Sequence, residues 1–475
     1  MIAIGTKIHD KFSIEFKVGF LTRRKARKND FTVGMWMFVP SSLDITPYTY
    51  TKADFYRDVK TNIRLITPSF LLRDICGGDA LPLHNVEKAA DSMASDPTRT
   101  NTDEYIYQVK MFAAIVKSSL RDETAYIRRS PERDLGFLVN NYVENISAIV
   151  DAYSRLRSRI SFPSVPSAAL EAYDIAGEFI CSVTTNHICR LLKDLKSRDG
   201  LDNLADSLVE LCHKVDGFRT ERGYPLGNDV YRHGILKKSV ESQLYLRVPK
   251  KKDGVLVEQA YFSLAAGMAM LFATVVAWAF QRHFGNLTWP LFIALIISYM
   301  MKDRIKELMR YYFAHRVGNR YYDNKAKIKI NNREIGSLKE AVDFIPLEKV
   351  PEPVRKIRDD KRIFPCDTAH DDERVILYKK VVKLDREKMM ENASWNYSGV
   401  NDIIRLQVNS FLRKMDNPLV ELDRVSDDGN VISEMLPKLY YINIVLEYHY
   451  DEVTDYKHLR IALTRDGIQK IEDLS

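Results

Sequence analysis

The feature that most constrains this chain is one long run without charged residues. Residues 260–280 are 21 consecutive residues that contain no Asp, Glu, Lys, Arg or His. A helix rises about 1.5 Å per residue, so this run reaches about 30 Å, the thickness of the hydrocarbon core of a bilayer. The sequence therefore predicts a helix that is able to cross a membrane.

A second apolar run, residues 287–301, follows a short polar return at residues 281–286. Its 15 residues are few for a crossing, and extension back to Phe284 supplies the missing length. Pro290 suits the first turn of such a helix because that position needs no backbone N–H. We therefore predict a two-helix transmembrane hairpin over residues 257–301. The alternative is a helical hairpin buried in the core of a soluble protein.

Basic residues collect on both flanks of this hairpin, whereas the return between its helices holds Arg282 as its one Lys or Arg. By the positive-inside rule, we expect a two-span membrane protein with both termini in the cytosol, as in a bacterial inner membrane. The flanks would contact anionic lipid headgroups. The predicted lipid-contact residues are Lys250, Lys251, Lys252, Lys302, Arg304, Lys306 and Arg310.

Small residues recur at every fourth position along one face of the first helix. They are Ala265, Ala269, Ala273 and Ala277. Such a series allows close approach of another helix, and we predict that it packs membrane spans together. Packing against the second helix of the same hairpin is favoured over self-association of two chains, and both remain open.

Composition limits how much of the chain a membrane could hold. The mean hydropathy of −0.27 excludes a transporter with many spans. The net charge of +7 is modest for 475 residues, so no nucleic-acid partner is predicted. Five irregularly spaced cysteines indicate reduced thiols of a cytosolic compartment. The first residues lack the pattern of a cleavable signal, so we expect the first domain to stay on the side of synthesis.

The flanks of the hairpin divide into several predicted segments. Two strand-like runs within residues 11–39 indicate a β-hairpin, and Thr51 is a suitable cap for a helix that reaches residue 72. Long amphipathic helices at about 130–160, 167–196 and 201–215 indicate an antiparallel bundle. The predicted domains are an α/β domain (1–100), a helical bundle (101–222), a hinge and juxtamembrane helix (223–256), the hairpin (257–301), a basic juxtamembrane helix (302–325) and a β-rich domain (326–475).

Motifs for common enzyme chemistry do not occur in the sequence. There is no phosphate-binding GxxxxGK[ST], no GxGxxG, no HExxH and no GxSxG. Cysteine and histidine residues between Cys181 and His213 have the atoms for zinc but not the spacing, so no metal site is predicted. Cys366 and His370 could form a nucleophile and base, but they lie in a charged segment typical of a linker.

One polar, glycine-rich stretch ahead of the hairpin is a candidate ligand site. It holds Tyr224, Arg232 and His233, and an arginine beside a histidine could bind an anion. The alternative is that these side chains fix a turn.

Together these observations predict a membrane-anchored α+β protein with an N-terminal small α/β domain, a helical bundle, a two-helix transmembrane hairpin and a C-terminal, mostly β domain. The favoured function is a membrane-tethered interaction, signalling or scaffold protein without enzymatic activity or cofactor. Its partners would be anionic lipids and either another protein or a second copy of the chain. The alternatives are a membrane-associated enzyme of unfamiliar type, with a site between the domains, and an oligomeric pore.

Overall fold

The computed structural model describes most of the chain and divides it into two compact units. It describes residues 2–23, 26–76, 81–197, 201–225, 230–285, 288–312, 322–330, 333–361, 373–391, 394–416, 418–426, 428–450 and 452–474. Unit 1 comprises residues 1–63, 246–394 and 401–475, and unit 2 comprises residues 64–245 and 395–400. Each unit is described separately below.

Unit 1 is built on an antiparallel sheet of eight strands. Its strands, in spatial order, are β5 (Lys250–Lys252), β6 (Asn324–Ile330), β7 (Arg333–Ile345), β8 (Glu373–Asp385), β3 (Lys28–Pro40), β12 (Tyr440–Tyr450), β13 (Val453–Thr464) and β14 (Gly467–Asp473). β3 therefore pairs on one side with β8 and on the other with β12. Strands from the beginning, middle and end of the chain share one sheet.

The remaining strands form two smaller sheets. The first has four strands in the order β1 (Ile2–Asp10), β2 (Ser13–Leu21), β9 (Gly399–Gln407) and β4 (Val59–Leu65). The second is a hairpin of β10 (Leu419–Val425) and β11 (Val431–Pro437). Because β2 and β3 belong to different sheets, the predicted β-hairpin within residues 11–39 is wrong, although both strands exist.

Unit 2 is a helical unit. Its helices are α2 (Leu81–Ser95), α3 (Arg99–Arg129), α4 (Glu132–Arg159), α5 (Ser167–Lys196), α6 (Asp202–Glu221) and α7 (Val230–Glu241). Stacked tyrosines occupy its core: the rings of Tyr153 and Tyr173 lie 4.7 Å apart. Each hydroxyl donates a hydrogen bond to the backbone carbonyl of the other residue, at 2.7 Å and 3.0 Å. These reciprocal bonds fix α4 against α5.

The remaining helices belong to unit 1. They are the short helices α1 (Lys52–Asp58), α10 (Glu352–Asp360), α11 (Arg386–Glu391) and α12 (Asn409–Leu412), and the long helices α8 (Val255–Phe284) and α9 (Trp289–Tyr312). Thr51 caps α1, as predicted, through a capping box with Asp54. The helix ends at Asp58, however, and the chain continues as strand β4, so the predicted extension to residue 72 is wrong.

The predicted two-helix transmembrane hairpin is wrong. Within the described residues, one helix, Val255–His283, is long and apolar enough to cross a membrane by length and composition. α9 fails because it begins only at Trp289 and meets its first charge at Lys302, so its uncharged part reaches about 20 Å, well short of a bilayer core. The α+β content stands, whereas the membrane-anchored fold class with two spans does not, and a two-span location is not confirmed.

Candidate functional site: the helical arm and its base

Helix α8 is the most apolar element of unit 1, and it is also one of the most exposed. Its most apolar stretch has a mean hydropathy of 1.9, and only 11% of that stretch is buried. Leu271, near the middle of the helix, has 65% of its surface exposed. A soluble monomer rarely exposes a continuous apolar surface of this size. We refer to α8 and α9 together as the arm.

The two helices of the arm pack against each other in antiparallel order. The Ser298 hydroxyl of α9 donates a hydrogen bond of 3.4 Å to the carbonyl oxygen of Ala273 on α8. Near the other end, the Arg310 guanidinium lies 4.9 Å from the ring centre of Phe262. Ala265 and Ala269 are buried on the alanine face of α8, and Ala277 is half-buried. Use of this face by a second chain remains a prediction.

The arm is joined to the eight-stranded sheet at both ends. Strand β5 leads directly into α8 through Asp253 and Gly254, and Gly254 adopts a φ of 72°, a conformation that favours glycine. After α9, strand β6 returns to pair with β5, with Lys251 opposite Lys325. A backbone hydrogen bond of 3.2 Å from Asp253 to Asp323 joins the two connections. The arm therefore leaves and re-enters the same edge of one sheet.

The predicted lipid-contact residues lie at this base and along α9, in different surroundings. Lys250 donates a 2.6 Å hydrogen bond to Glu340, whose side chain is completely buried, so this ammonium group has a partner within the protein. Two of the others form ion pairs with near neighbours: Lys252 with Glu258 at 3.1 Å, and Arg304 with Glu307 at 3.3 Å. The Lys302 ammonium lies 4.1 Å from the ring centre of Tyr299. Lys251 and Lys306 are at least partly exposed.

Glu340 is the centre of a buried polar cluster below the base of the arm. It accepts hydrogen bonds from Lys250, from the Tyr378 hydroxyl at 2.8 Å and from the Asn324 amide at 3.1 Å. Burial, and then the charge of Glu340, raise the pKa of Tyr378 well above its usual value, so its hydroxyl stays protonated and donates. The cluster holds β5, β6, β7 and β8 together. Sequence reasoning missed it, although a glutamate on the inward face of a strand was a signal.

The candidate ligand residues of unit 2 all contact one face of α5. The Tyr224 hydroxyl donates to Asp174 at 3.2 Å. Arg232 donates to Glu178 at 2.8 Å, and His233 Nδ1 lies 3.0 Å from the Ser182 hydroxyl. The three partners on α5 are four residues apart, so they form one line along the helix.

This arrangement favours a structural role for the three residues. Glu178 already neutralises the Arg232 guanidinium, the group that an anion would need. Burial, and then the charges of Lys237 and Lys117, lower the pKa of His233 and favour its neutral form. Binding of a ligand by Tyr224, Arg232 and His233 stays a prediction.

The described cysteines do not form a metal centre, and the buried Cys181 is held as a thiol. Among the residues that the structure describes, no group of three or more His, Cys, Asp or Glu side chains is placed to hold a metal ion. Burial raises the pKa of the Cys181 thiol to about 12, which suppresses its thiolate. The proposed pair of Cys366 and His370 lies outside the described residues.

Comparisons with protein-family models, with curated proteins and with solved structures found no match to this chain. The functional argument therefore rests on the geometry of the arm and its base.

Proposed function

We propose that this protein is a membrane-tethered interaction protein whose arm inserts α8 into the apolar layer of a bilayer. The observation that carries the proposal is that α8 is both apolar enough for a membrane and exposed along nearly its whole length. A core helix of a soluble protein would be mostly buried, and a signal sequence would lie near the N-terminus. α8 matches neither alternative.

The connectivity of unit 1 supports insertion from one face of the membrane. β5 precedes the arm and β6 follows it, and these two strands pair in one sheet. A sheet cannot continue through a bilayer into water on the other side, so both ends of the arm remain on one side. The folded part of unit 1, with strands from both flanks of the arm, is therefore held at that surface.

The composition of α8 favours a tether over a pore. Its uncharged run, residues 260–280, contains none of the ionisable side chains on which ion pathways and proton relays depend. One of the hydroxyl groups that it carries is satisfied locally: Thr274 donates a 2.9 Å hydrogen bond to the carbonyl of Met270, one turn earlier. Such a helix suits contact with acyl chains and offers no path for ions.

Insertion can be measured with the tryptophans of the arm. Trp278 and Trp289 are exposed, whereas Trp36 and Trp395 are buried in their units. Addition of neutral phosphatidylcholine vesicles with brominated acyl chains should quench the fluorescence of the full chain. A variant with Trp278→Phe and Trp289→Phe should show no such quenching. Unquenched wild-type protein in the presence of these vesicles would contradict insertion.

A single charge in the arm gives a second test. Leu271→Asp should weaken binding to neutral vesicles by about 100-fold, because an aspartate at the centre of a membrane helix costs about 2.5–3.5 kcal/mol. The matched control is Leu439→Asp, which places the same charge at an exposed leucine of unit 1 outside the arm. Equal binding by the two variants would show that α8 does not enter the bilayer.

A further inference from the structure

A lysine-lined surface lies at the base of the arm. Five lysines line a shallow cavity of about 270 Å³ on strands β5, β6 and β7. They are Lys251, Lys325, Lys327, Lys329 and Lys339, and we refer to them as the lysine face. Of this set, only Lys251 is among the predicted lipid-contact residues, because the others lie beyond the arm in sequence.

The strand register concentrates these charges. Lys251 lies opposite Lys325, and Lys325 lies opposite Lys339, so three lysines form one row across three strands. Along β6, alternation turns Lys327 and Lys329 to the same face as Lys325, while Ala326, Ile328 and Ile330 are buried on the other. Like charges placed directly opposite each other destabilise a sheet, unless opposite charges compensate them.

Among the residues that the structure describes, compensation of these charges is incomplete. Asp253 pairs with Lys325 at 2.9 Å and with Lys339 at 3.5 Å. Lys327 pairs with Glu334 at 2.6 Å. Counting the described ion pairs, five lysines and two carboxylates leave the lysine face with three formal positive charges. The face is therefore suited to bind further negative charge.

The position of the lysine face identifies the source of that charge. β5 ends two residues before α8 begins, so the lysine row lies where the arm joins the sheet. The Lys252 ammonium pairs with Glu258 in the first turn of α8, which ties the strand to the helix. If α8 enters the apolar layer, its base lies at the level of the headgroups, where phosphate groups are dense.

We propose that the lysine face binds the phosphate groups of anionic phospholipids. This inference rests on the proposed insertion of the arm and deepens it by naming the lipid class that the protein recognises. Lysine ammonium groups bind phosphate as compact point charges, without the fixed geometry of an arginine fork. The attraction acts over about a Debye length, so it needs the close approach that the arm provides. Insertion supplies binding to any bilayer, and the lysine face supplies preference for an anionic one.

The test compares two kinds of vesicle, using the full chain. One kind is phosphatidylcholine alone, and the other is equal parts phosphatidylcholine and phosphatidylglycerol. The wild-type chain should bind the anionic vesicles more tightly. The triple variant Lys251→Gln, Lys327→Gln and Lys329→Gln should lose about 100-fold on anionic vesicles, roughly fivefold for each lysine close to the surface. Its binding to neutral vesicles should not change.

A matched variant separates a specific face from net charge. Lys60→Gln, Lys349→Gln and Lys356→Gln remove the same number of charges from exposed positions of unit 1 outside the lysine face. This control should keep the preference for anionic vesicles. An equal loss in the two triple variants would overturn the lysine face as a binding site, because only total charge would then matter.

The remaining outcomes distinguish the lipid from a soluble anion and from failure of the tether. If the wild-type chain binds inorganic phosphate with no preference for anionic vesicles, the face belongs to a soluble anion and the lipid assignment is wrong. If the chain binds neither kind of vesicle, insertion of the arm itself has failed. A chain that inserts into neutral vesicles but shows no anionic preference would retain the proposed function and lose this inference alone.

Discussion

Lys380 on β8 and Asp402 on β9 form an ion pair in the interior of unit 1, where their side chains are 1% and 0% exposed. β8 belongs to the eight-stranded sheet and β9 to the four-stranded sheet, so this pair joins the two. Two charges removed from water are tolerated only because each neutralises the other. Removal of only one of the two charges is therefore expected to destabilise the fold.

Removal of one partner should be far more damaging than removal of both. Asp402→Asn leaves a buried ammonium group without its counter-charge and should lower the free energy of unfolding by about 3–5 kcal/mol. The double variant Asp402→Leu with Lys380→Met, which buries apolar side chains instead, should be more stable than the single variant. Urea unfolding of the chain in detergent measures both. A double variant less stable than the single one would show that the pair does not behave as an isolated buried ion pair.

Local sequence patterns predicted the helices of unit 2 well. The expected helix at residues 167–196 is confirmed as α5, with the same bounds, because its amphipathic pattern and the prolines that precede it are local signals. The helix expected at about 130–160 is confirmed as α4. The pattern that predicts such a helix lies within the residues of the helix itself.

Strand pairing could not be predicted in the same way. β3 was recognisable as a strand, but its partners β8 and β12 lie far away in sequence, and alternation alone does not choose between distant partners. Val59 and Ile63 fit both a helical and a strand period, so the sequence pattern does not distinguish β4 from a helix. The contact of Lys250 with Glu340 is equally hidden in the sequence, because this buried partner follows only after the arm.

Gly177 of α5 is required by the packing of unit 2. A Cβ at this position would lie 2.8 Å from the Tyr224 hydroxyl and 3.0 Å from the ring of Tyr153. Both neighbours are held, Tyr224 by Asp174 and Tyr153 by its hydrogen bond to Tyr173. Gly177→Ala should therefore lower the free energy of unfolding by about 1–3 kcal/mol, as overpacking does.

Gly217 of α6 provides the matched control for that substitution. Apart from its chain neighbours and the backbone of its own helix, no described atom lies within 4 Å of a Cβ at this position, so Gly217→Ala meets open space. It should stabilise the chain by up to about 0.5–1 kcal/mol, because alanine favours a helix interior more than glycine does. Opposite shifts of the two urea midpoints are expected. Equal shifts would mean that Tyr224 and Tyr153 do not restrict Gly177.

Glu241 of unit 2 is a buried carboxylate that holds two cations. It accepts hydrogen bonds from Arg64, at 3.1 Å, and from Lys117. Burial opposes its ionisation, but the charges of Lys117 and then Arg64 outweigh burial and lower its pKa below 4.5. A lowered carboxylate pKa stabilises the fold above the unfolded pKa, and this stability is lost as the pH falls through the folded pKa.

Glu241→Gln should remove that stabilisation. At pH 7 the expected loss is about 1.5–3 kcal/mol, the usual contribution of hydrogen bonds to charged groups. Glu210→Gln, on the exposed surface of α6, should leave stability unchanged. Urea midpoints at pH 7 and in mild acid test both points, because the difference between wild type and Glu241→Gln should shrink in acid. A constant difference would assign the loss to packing and not to charge.

His458 on β13 should make unit 1 sensitive to mild acid. The residue is 1% exposed, and burial, followed by the charges of Arg460, Arg358 and Lys361, lowers its pKa to about 4. In the unfolded chain the imidazole returns to a pKa near 6.5. Between these values the unfolded state binds more protons than the folded state, so stability falls as the pH falls from about 6.5 to about 4, by up to about 3 kcal/mol.

The effect of His458 can be isolated by comparing how steeply the free energy of unfolding changes with pH in the wild type and in variants. His458→Gln has no imidazole to protonate, so its free energy of unfolding should fall less steeply than that of the wild type over this window, whatever its value at pH 7. His187 in unit 2, whose pKa burial also lowers to about 4, titrates in both proteins and cancels from the comparison. Parallel slopes for His458→Gln and the wild type would mean that the buried imidazole accepts its proton without cost, and the fold would then have to open around β13 to hydrate it.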